Sequence, residues 1–569
     1  MIGTRRSVIT VAMLLVVAVV LAACGSSGGS KSGGGGETSS TTAGKAPTSG
    51  NGTVVLGAEQ EMDCADWIAS CAGSSWGVWV MEQHTMPRVW DYTQDANGDW
   101  VNTPNVMMAE PATSADVNGK QTLTYKISPN AKWSDGEPIT SEDFKYTWEQ
   151  IAKGKDIYDR SGYDKIESVD TTDPATAVVT MKESYGSWRA LFAGGLYGIM
   201  PSHILEGKNR SKAMSNGYDW SGGPWLAKWN RGVDVTLTPN PNWYGEKPKL
   251  QKVIFRFIQD TAAEFQAFKT GEVLAIYPQP QLDAVDAIKK GLPGSQSQYT
   301  ANTGAVESLW INNDKFPFNS VPVRQAFAYS IDRQAIVERL FGALGVKNPS
   351  QSLNPPIQKP YQDTSEYEKY VLDLDQVNTL MTGDGWEKNG SGIWAKNGKT
   401  ATVTLNTTTE NKRRELTEQI VQQMAKAAGF DVKIKNQTAA NLFGKTLPTG
   451  NYQVGLYAQQ ATSLEPGLCS IMCSKNIPSK ANGNSGQNWT WTDIAEMDPL
   501  LETVDNSSDD NARINASKQA DVIMGAQMVS LPIDPLPNIS LWSDKLAGVK
   551  GDNPIFSMFW NLPEWSLNG

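Results

Sequence analysis

LTYKISPNAKWSDGEPITSEDFKYTWEQI, residues 123 to 151, holds a strand, a turn and a helix start in one stretch, and the rest of the chain is read outward from it. Leu123 to Ile127 alternates apolar and polar residues, as a half-buried strand requires, because successive side chains leave opposite faces. Lys132-Trp133-Ser134-Asp135-Gly136 follows as a turn that ends on glycine. Thr140 with Asp143 three residues later is the start signal of a helix, in which short polar side chains satisfy the orphan N–H groups of the first turn. Phe144, Trp148 and Ile151 then recur at i, i+4 and i+7, which places them on one buried face.

Toward the N-terminus, Thr53 to Ala58 is a short apolar run that opens the globular body, and the turn-rich, acidic stretch Glu59 to Asp66 follows it. Before it, Gly25 to Asn51 is Gly, Ser and Thr with hardly an apolar residue, the composition of a flexible tether. Its Gly25 to Gly29 fits the serine-hydrolase pattern G-x-S-x-G only formally, for lack of a strand before it and a helix after it. The first residues read as an export leader: Arg5 and Arg6, an apolar run from Val8 to Val20, then Leu21-Ala22-Ala23-Cys24. That run is short for a membrane span, which takes about 20 residues. Thr4 to Ile9 also passes as a twin-arginine signal, so the export route stays open.

The balance of 50 Lys+Arg against 60 Asp+Glu, with no concentrated basic patch, argues against nucleic acid as a partner. Without a G-x-x-x-x-G-K-[ST] loop, and with His84 and His203 as the only histidines, phosphate chemistry and a Ser-His-Asp triad both lack their parts. Zinc is disfavoured by the same shortage and by cysteine spacings unlike C-x-x-C. Outside the leader, Cys64, Cys71, Cys469 and Cys473 allow three disulfide connectivities, of which the local pairs Cys64 with Cys71 and Cys469 with Cys473 are favoured.

Residues 123 to 151 closely resemble the most recognisable stretch of the family 5 extracellular solute-binding proteins, the peptide, dipeptide and nickel binders of ABC importers. Four further landmarks match in order: IMPSHILEG at 199 to 207, SGGPWLAKWNRGVDVTLTPNPNWYGEKPKLQKVIFRFI from Ser221, LWINNDKFPFNSVPVRQAFAYSIDRQAIVERLFG from Leu309, and LPIDPLP from Leu531. The resemblance covers roughly residues 53 to 565. It implies an α/β fold of the periplasmic-binding-protein type, class II and three-lobed, with hinged lobes around a ligand cleft. The expected boundaries are a signal peptide at 1–23, a lipidated tether at 24–51, lobe I from 52–66, 220–311 and 535–569, lobe II at 67–219 and lobe III at 312–534. Trp133, Asp135, Arg324, Asp332 and Arg333 within these motifs are read as packing and capping residues rather than site residues.

Leu21 to Cys24 likewise resembles a bacterial lipobox, which implies lipid on Cys24 and a protein anchored to the cell membrane, facing the periplasm or cell-wall space. Peptide-binding relatives hold the ligand's α-amino group with an aspartate of a third-lobe G-D-x-x-D-P-like loop. The corresponding stretch here is Ala461-Thr462-Ser463-Leu464-Glu465-Pro466, so Thr462 stands where the aspartate is expected and Glu465 takes the second acidic position. The charge is then expected from Glu465 or from the Glu59-Gln60-Glu61 loop, or the ligand has no free amino group. Trp310, Trp489, Trp491 and Tyr457 complete the expected ligand residues. The expected role is capture of a short peptide, with an oligosaccharide or a ligand-sensing role as alternatives, and delivery to ABC permease subunits. No catalytic residue, cofactor or metal is expected, and the chain is expected to act as a monomer.

Overall fold

The structure is a computed structural model that describes residues 49–568 apart from 51, 196, 279, 281, 302 and 482–485. The expected leader, Cys24 and the tether up to residue 48 lie outside the described residues. No helix among the described residues is long and apolar enough to cross a membrane.

Three principal sheets organise the body. The first runs Thr53–Ala58, Lys252–Phe257, Asp234–Pro239, Trp225–Asn230, with the opening strand parallel to Lys252–Phe257 and the rest antiparallel. The second runs Thr113–Val117, Lys120–Lys126, Thr176–Met181, Ile166–Asp173, all antiparallel. The third runs Asp431–Ile434, Thr402–Asn406, Val454–Gln460, Ala305–Ile311, Ser530–Asp534. A smaller antiparallel sheet is formed by Ala275–Ile276, Asn538–Ser543 and Ser295–Thr300, with Asn538–Ser543 in the middle.

The helix predicted from Thr140 spans Ser141–Lys153 and buries Phe144, Trp148 and Ile151, as its periodicity requires. Its Asp143 is a junction. One carboxylate oxygen accepts from the Thr140 N–H at 2.9 Å and from Trp133 Nε1 at 3.2 Å. The other accepts from the N–H and the hydroxyl of Ser202, both at 2.7 Å. Two stretches far apart in sequence, the WSDG turn and the IMPSHIL turn, are thus fastened to one helix start.

Arg324 and Arg333 do comparable work in the third sheet's surroundings. Arg324 donates to the carbonyls of Phe318 at 2.8 Å and Gln527 at 3.0 Å. Arg333 donates to those of Ser350 at 2.8 Å and Pro532 at 3.0 Å. Asp332 caps the helix Arg333–Phe341 by accepting from Ala335 N–H at 2.9 Å. These residues hold loops in place, because buried carbonyls without partners would each cost free energy. Cys64 is joined to Cys71 and Cys469 to Cys473, the two local pairs.

One apolar core is shared by the first and second sheets, with Val54, Leu56, Trp133, Phe144, Trp225 and Phe255 among its members. A separate core lies about the third sheet, including Leu309, Phe327, Val403, Leu405, Val421 and Leu531. A third, smaller core with Val55, Ile254, Phe265 and Leu541 belongs to the same segments as the first sheet, so the body has two halves. Ala305–Ile311, which the expected boundaries give to lobe I, pairs with Val454–Gln460 on one side and Ser530–Asp534 on the other. All seven of its residues are buried, a demand met only by a central strand. The third sheet thus reaches back across the expected boundary at 311. The chain passes between the halves at 303–304 and again at 535–537, and the Thr303 hydroxyl donates to the Leu536 carbonyl at 3.0 Å to tie the two passages together.

Candidate ligand cleft

Between the halves lies a cavity of about 270 Å3. From the first half it is lined by Gln60, Trp76, Trp79, Tyr158, Asp159, Tyr163, Tyr185 and Tyr197, among others, and from the second by Arg414, Phe443, Tyr457, Thr462, Glu465, Gln487, Trp489 and Asp505. Aromatic walls with a few polar groups are the usual make-up of a small-molecule site.

The halves touch around the cavity. The Ser187 N–H donates to the Asp505 carbonyl at 3.1 Å, and Arg513 Nη2 donates to the Ser187 hydroxyl at 2.8 Å. Gln460 Nε2 reaches the Pro554 carbonyl at 2.6 Å. Two glycines permit the close approach: a Cβ on Gly186 would lie 1.9 Å from the Ser507 carbonyl oxygen, and one on Gly195 would lie 2.8 Å from that of Thr462. This is a closed arrangement.

A strand edge also lies at the cavity. Val454–Gln460 has its parallel neighbour Thr402–Asn406 only at Val454 and Gly455, so beyond Gly455 the strand is laddered on one side alone. Ala458, Gln459, Gln460 and Ala461 line the cavity there.

Of the residues expected from sequence, Gln60, Tyr457, Thr462, Glu465 and Trp489 line the cavity, whereas Glu59, Trp310 and Trp491 do not. Glu59 is buried near Glu264, whose carboxyl is pushed well up by burial and then by the Glu59 charge. Trp310 is turned into the core behind the site, stacked on Tyr457 at 5.4 Å and donating Nε1–H to the Tyr457 carbonyl at 2.7 Å. Trp491 packs over Gly450, where a Cβ would come within 2.8 Å of its ring. Glu465 is already paired: Arg513 Nη2 lies 2.7 Å from one oxygen and Arg189 Nη1 lies 3.7 Å from the other. A ligand ammonium at Glu465 would therefore meet an ion pair, not a bare carboxylate.

Arg414 is likewise compensated, by a forked pair to Glu307 at 2.7 and 3.1 Å. The remaining two charged residues of the lining are Asp159 and Asp505, which sequence reasoning passed over. Asp159 accepts from the N–H and hydroxyl of Ser161 at 2.9 and 2.7 Å and from Gln487 Nε2, across the cleft, at 3.3 Å. Burial raises its carboxyl above the usual range, against the Ser161 bonds.

Neither histidine lines the cavity. His84 is buried, shares a hydrogen bond with the Trp79 carbonyl at 3.0 Å and stacks on Phe255, and burial lowers it to about 3. His203 lies 2.8 Å from Asp135 in the structural turn. Among the described residues no group of three or more His, Cys, Asp or Glu could hold a metal ion.

Two cored halves joined by two short non-strand passages, with an aromatic cavity between them, have the architecture of a binding protein. The chain matches the bacterial extracellular solute-binding proteins, family 5 Middle, over residues 107–475, and it belongs to that family. It is 25% identical to the oligopeptide-binding protein OppA of Bacillus subtilis over 470 residues, 78% of this chain and 81% of that one. A Brucella ovis relative is 29% identical over 300 residues, and the match spans 53% of that protein, about half its length. The fold is that of AppA from Bacillus subtilis, solved with a nonapeptide (TM-score 0.77, 20% identity, covering 91% of this chain and 99% of that one). It is equally that of EppA, a periplasmic EDTA-binding protein (TM-score 0.78, 21% identity, covering 92% and 98%).

Proposed function

We propose that the protein captures short peptides in this cleft by closing its halves and presents them to the permease of an ABC importer, held at the membrane by lipid on Cys24. The observation that carries the reading is the one-sided strand beyond Gly455, whose residues line the cavity. A strand edge holds extended peptides by main-chain hydrogen bonds whatever their side chains, which suits a carrier of varied peptides. The peptide-binding relatives agree with it. An oligosaccharide is not favoured, since of the three tryptophans expected to stack on sugar only Trp489 reaches the cavity.

The lobes we propose are 52–66, 220–304 and 535–569 for the first, 67–219 for the second and 305–534 for the third. The first two share a core and move as one body against the third. Closure stabilises the bound state because the ligand touches both halves only when they meet. The test is native mass spectrometry of the full chain purified from cells, with release and identification of any retained ligand. A peptide supports the reading, and a sugar or a metal chelate overturns it.

A further inference from the structure

Two acids of the cavity lining stand outside the ion pairs around it. Arg414 and Glu465 are each matched by an opposite charge of the protein, which leaves Asp159 and Asp505. Asp505 is 8% exposed, and among the described residues its carboxylate makes no hydrogen bond or ion pair. The cations nearest to it are engaged elsewhere, Lys165 with Glu183 at 2.7 Å, Lys475 with Glu502 at 3.0 Å and Arg513 with Glu465. It also sits in the last turn of the helix Asp498–Asn506, the end whose dipole disfavours an anion. Burial pushes Asp505 up to about 7, with Asp159 adding to the rise and Lys165, Lys475 and Arg513 opposing it. A carboxylate under such stress without a protein partner marks a place where something else supplies the opposite charge.

The surroundings specify what kind of group that is. Tyr158, Tyr185 and Tyr197 line the same part of the cavity, and each hydroxyl feels the Asp159 charge. No hydrogen bond to these three hydroxyls is made among the described residues. Tyrosine faces attract cations through the ring quadrupole, and the attraction is strongest where water is excluded. The two acids come from opposite halves, Asp159 from the first and Asp505 from the second, so a cation between them is enclosed only on closure.

We propose that Asp159 and Asp505, with the rings of Tyr158, Tyr185 and Tyr197, form a subsite of the cleft that holds a cationic group of the ligand, an ammonium or a guanidinium. The proposal rests on the cleft being the ligand site, and it moves the charge-reading role from the Glu465 loop to a pair of acids that bridges the halves.

Binding of six probes to the full chain by titration calorimetry tests it: tetra-alanine amide, its N-acetylated form, and the four acetylated forms with arginine at each position in turn. The wild type should bind one of the cationic probes at least tenfold more tightly than the acetylated neutral peptide. A preference for the free amino terminus identifies the chain end as the cation, and a preference for arginine identifies a side chain. Asp505→Asn and Asp159→Asn should each remove most of that preference, and Asp505→Asn should melt no lower than the wild type, since it relieves a buried charge without a protein partner. A preference that survives both substitutions, or a wild type that favours the neutral peptide, overturns the subsite. If no peptide binds, the peptide reading fails by itself, and arginine amide, which carries both an ammonium and a guanidinium, against N-acetyl-citrulline amide, which carries neither, then decides the subsite: discrimination lost in Asp505→Asn supports it, and no discrimination overturns it.

Discussion

Replacing Gly186 by alanine should weaken ligand capture without disturbing either half. Gly186 lies in the segment that follows the strand Thr176–Met181 and is fixed there by Gln121, which accepts from the Tyr185 N–H at 2.7 Å. Its backbone is not in the left-handed region, so alanine is not strained by conformation. The obstacle comes from the other half: the new Cβ would lie 1.9 Å from the Ser507 carbonyl oxygen and 3.1 Å from Arg513 Cδ. Ordinary contact needs roughly 1 to 1.5 Å more separation there, and the obstructing atom is backbone that cannot rotate away. At that separation the Ser187–Asp505 and Arg513–Ser187 hydrogen bonds, now 3.1 and 2.8 Å, are broken. With about 1 kcal/mol for the neutral bond and about 1.5 to 3 for the charge-assisted one, the closed form loses roughly 2 to 4 kcal/mol and the open form loses nothing. Since observed affinity scales with the closed population, the dissociation constant should rise roughly 30- to 1,000-fold. Titration calorimetry with the peptide recovered from the purified protein reads the effect, and a ligand-free thermal melt controls for folding. An affinity within threefold of wild type would refute closure through this contact.

Three other outcomes follow from buried groups. His84, lowered to about 3 by burial, stays neutral in the folded protein, whereas the unfolded chain takes a proton below about 6.5, so its contribution is present above that pH and is lost on acidification. Buried acids such as Asp521, raised to about 7, work in the opposite direction, so the test is the stability difference between wild type and His84→Gln. That difference should move by about 2 kcal/mol against the wild type between pH 7 and pH 5 in urea unfolding, and a constant difference would contradict the burial of a neutral imidazole. Arg210→Met strands Asp66, which is fully buried with Arg210 Nε at 2.8 Å, and should cost about 3 to 5 kcal/mol of unfolding free energy. Replacing Cys64 and Cys71 together by serine opens a short loop and should cost about 2 kcal/mol, while a variant as stable as wild type would mean the crosslink is absent in solution.

Much of the fold was legible because its signals are local. The helix start at Thr140, the buried face of Phe144, Trp148 and Ile151, and the capping role of Asp332 all depend on neighbours within a few residues. What periodicity could not supply was partnership across long separations. Nothing near Asp143 announces Ser202, and nothing near Glu465 announces that Arg513 reaches it. Trp310 was expected at the ligand because its segment approaches the cleft, yet which face of a fully buried strand meets the cavity depends on sheet order. Asp159 and Asp505 escaped notice for the converse reason. Each is an ordinary acid in its own segment, one in a loop and one at a helix end, and only the meeting of the halves makes them unusual. The one available hint was the recurrence of tyrosine at 158, 163, 185 and 197, four rings that reach the same cavity.

The tie between Thr303 and Leu536 bears on how the chain could be cut and rejoined. Residues 305–534 leave the rest and come back at neighbouring points, and they carry an apolar core of their own. Their two ends stand side by side, so the segment has the form of a detachable cassette. Excised and expressed alone it should fold, and the remainder, closed by a few glycines from 304 to 535, should fold as well. Residues 67–219 have no such independence, since Trp133 and Phe144 share their core with Val54 and Trp225 of the first sheet.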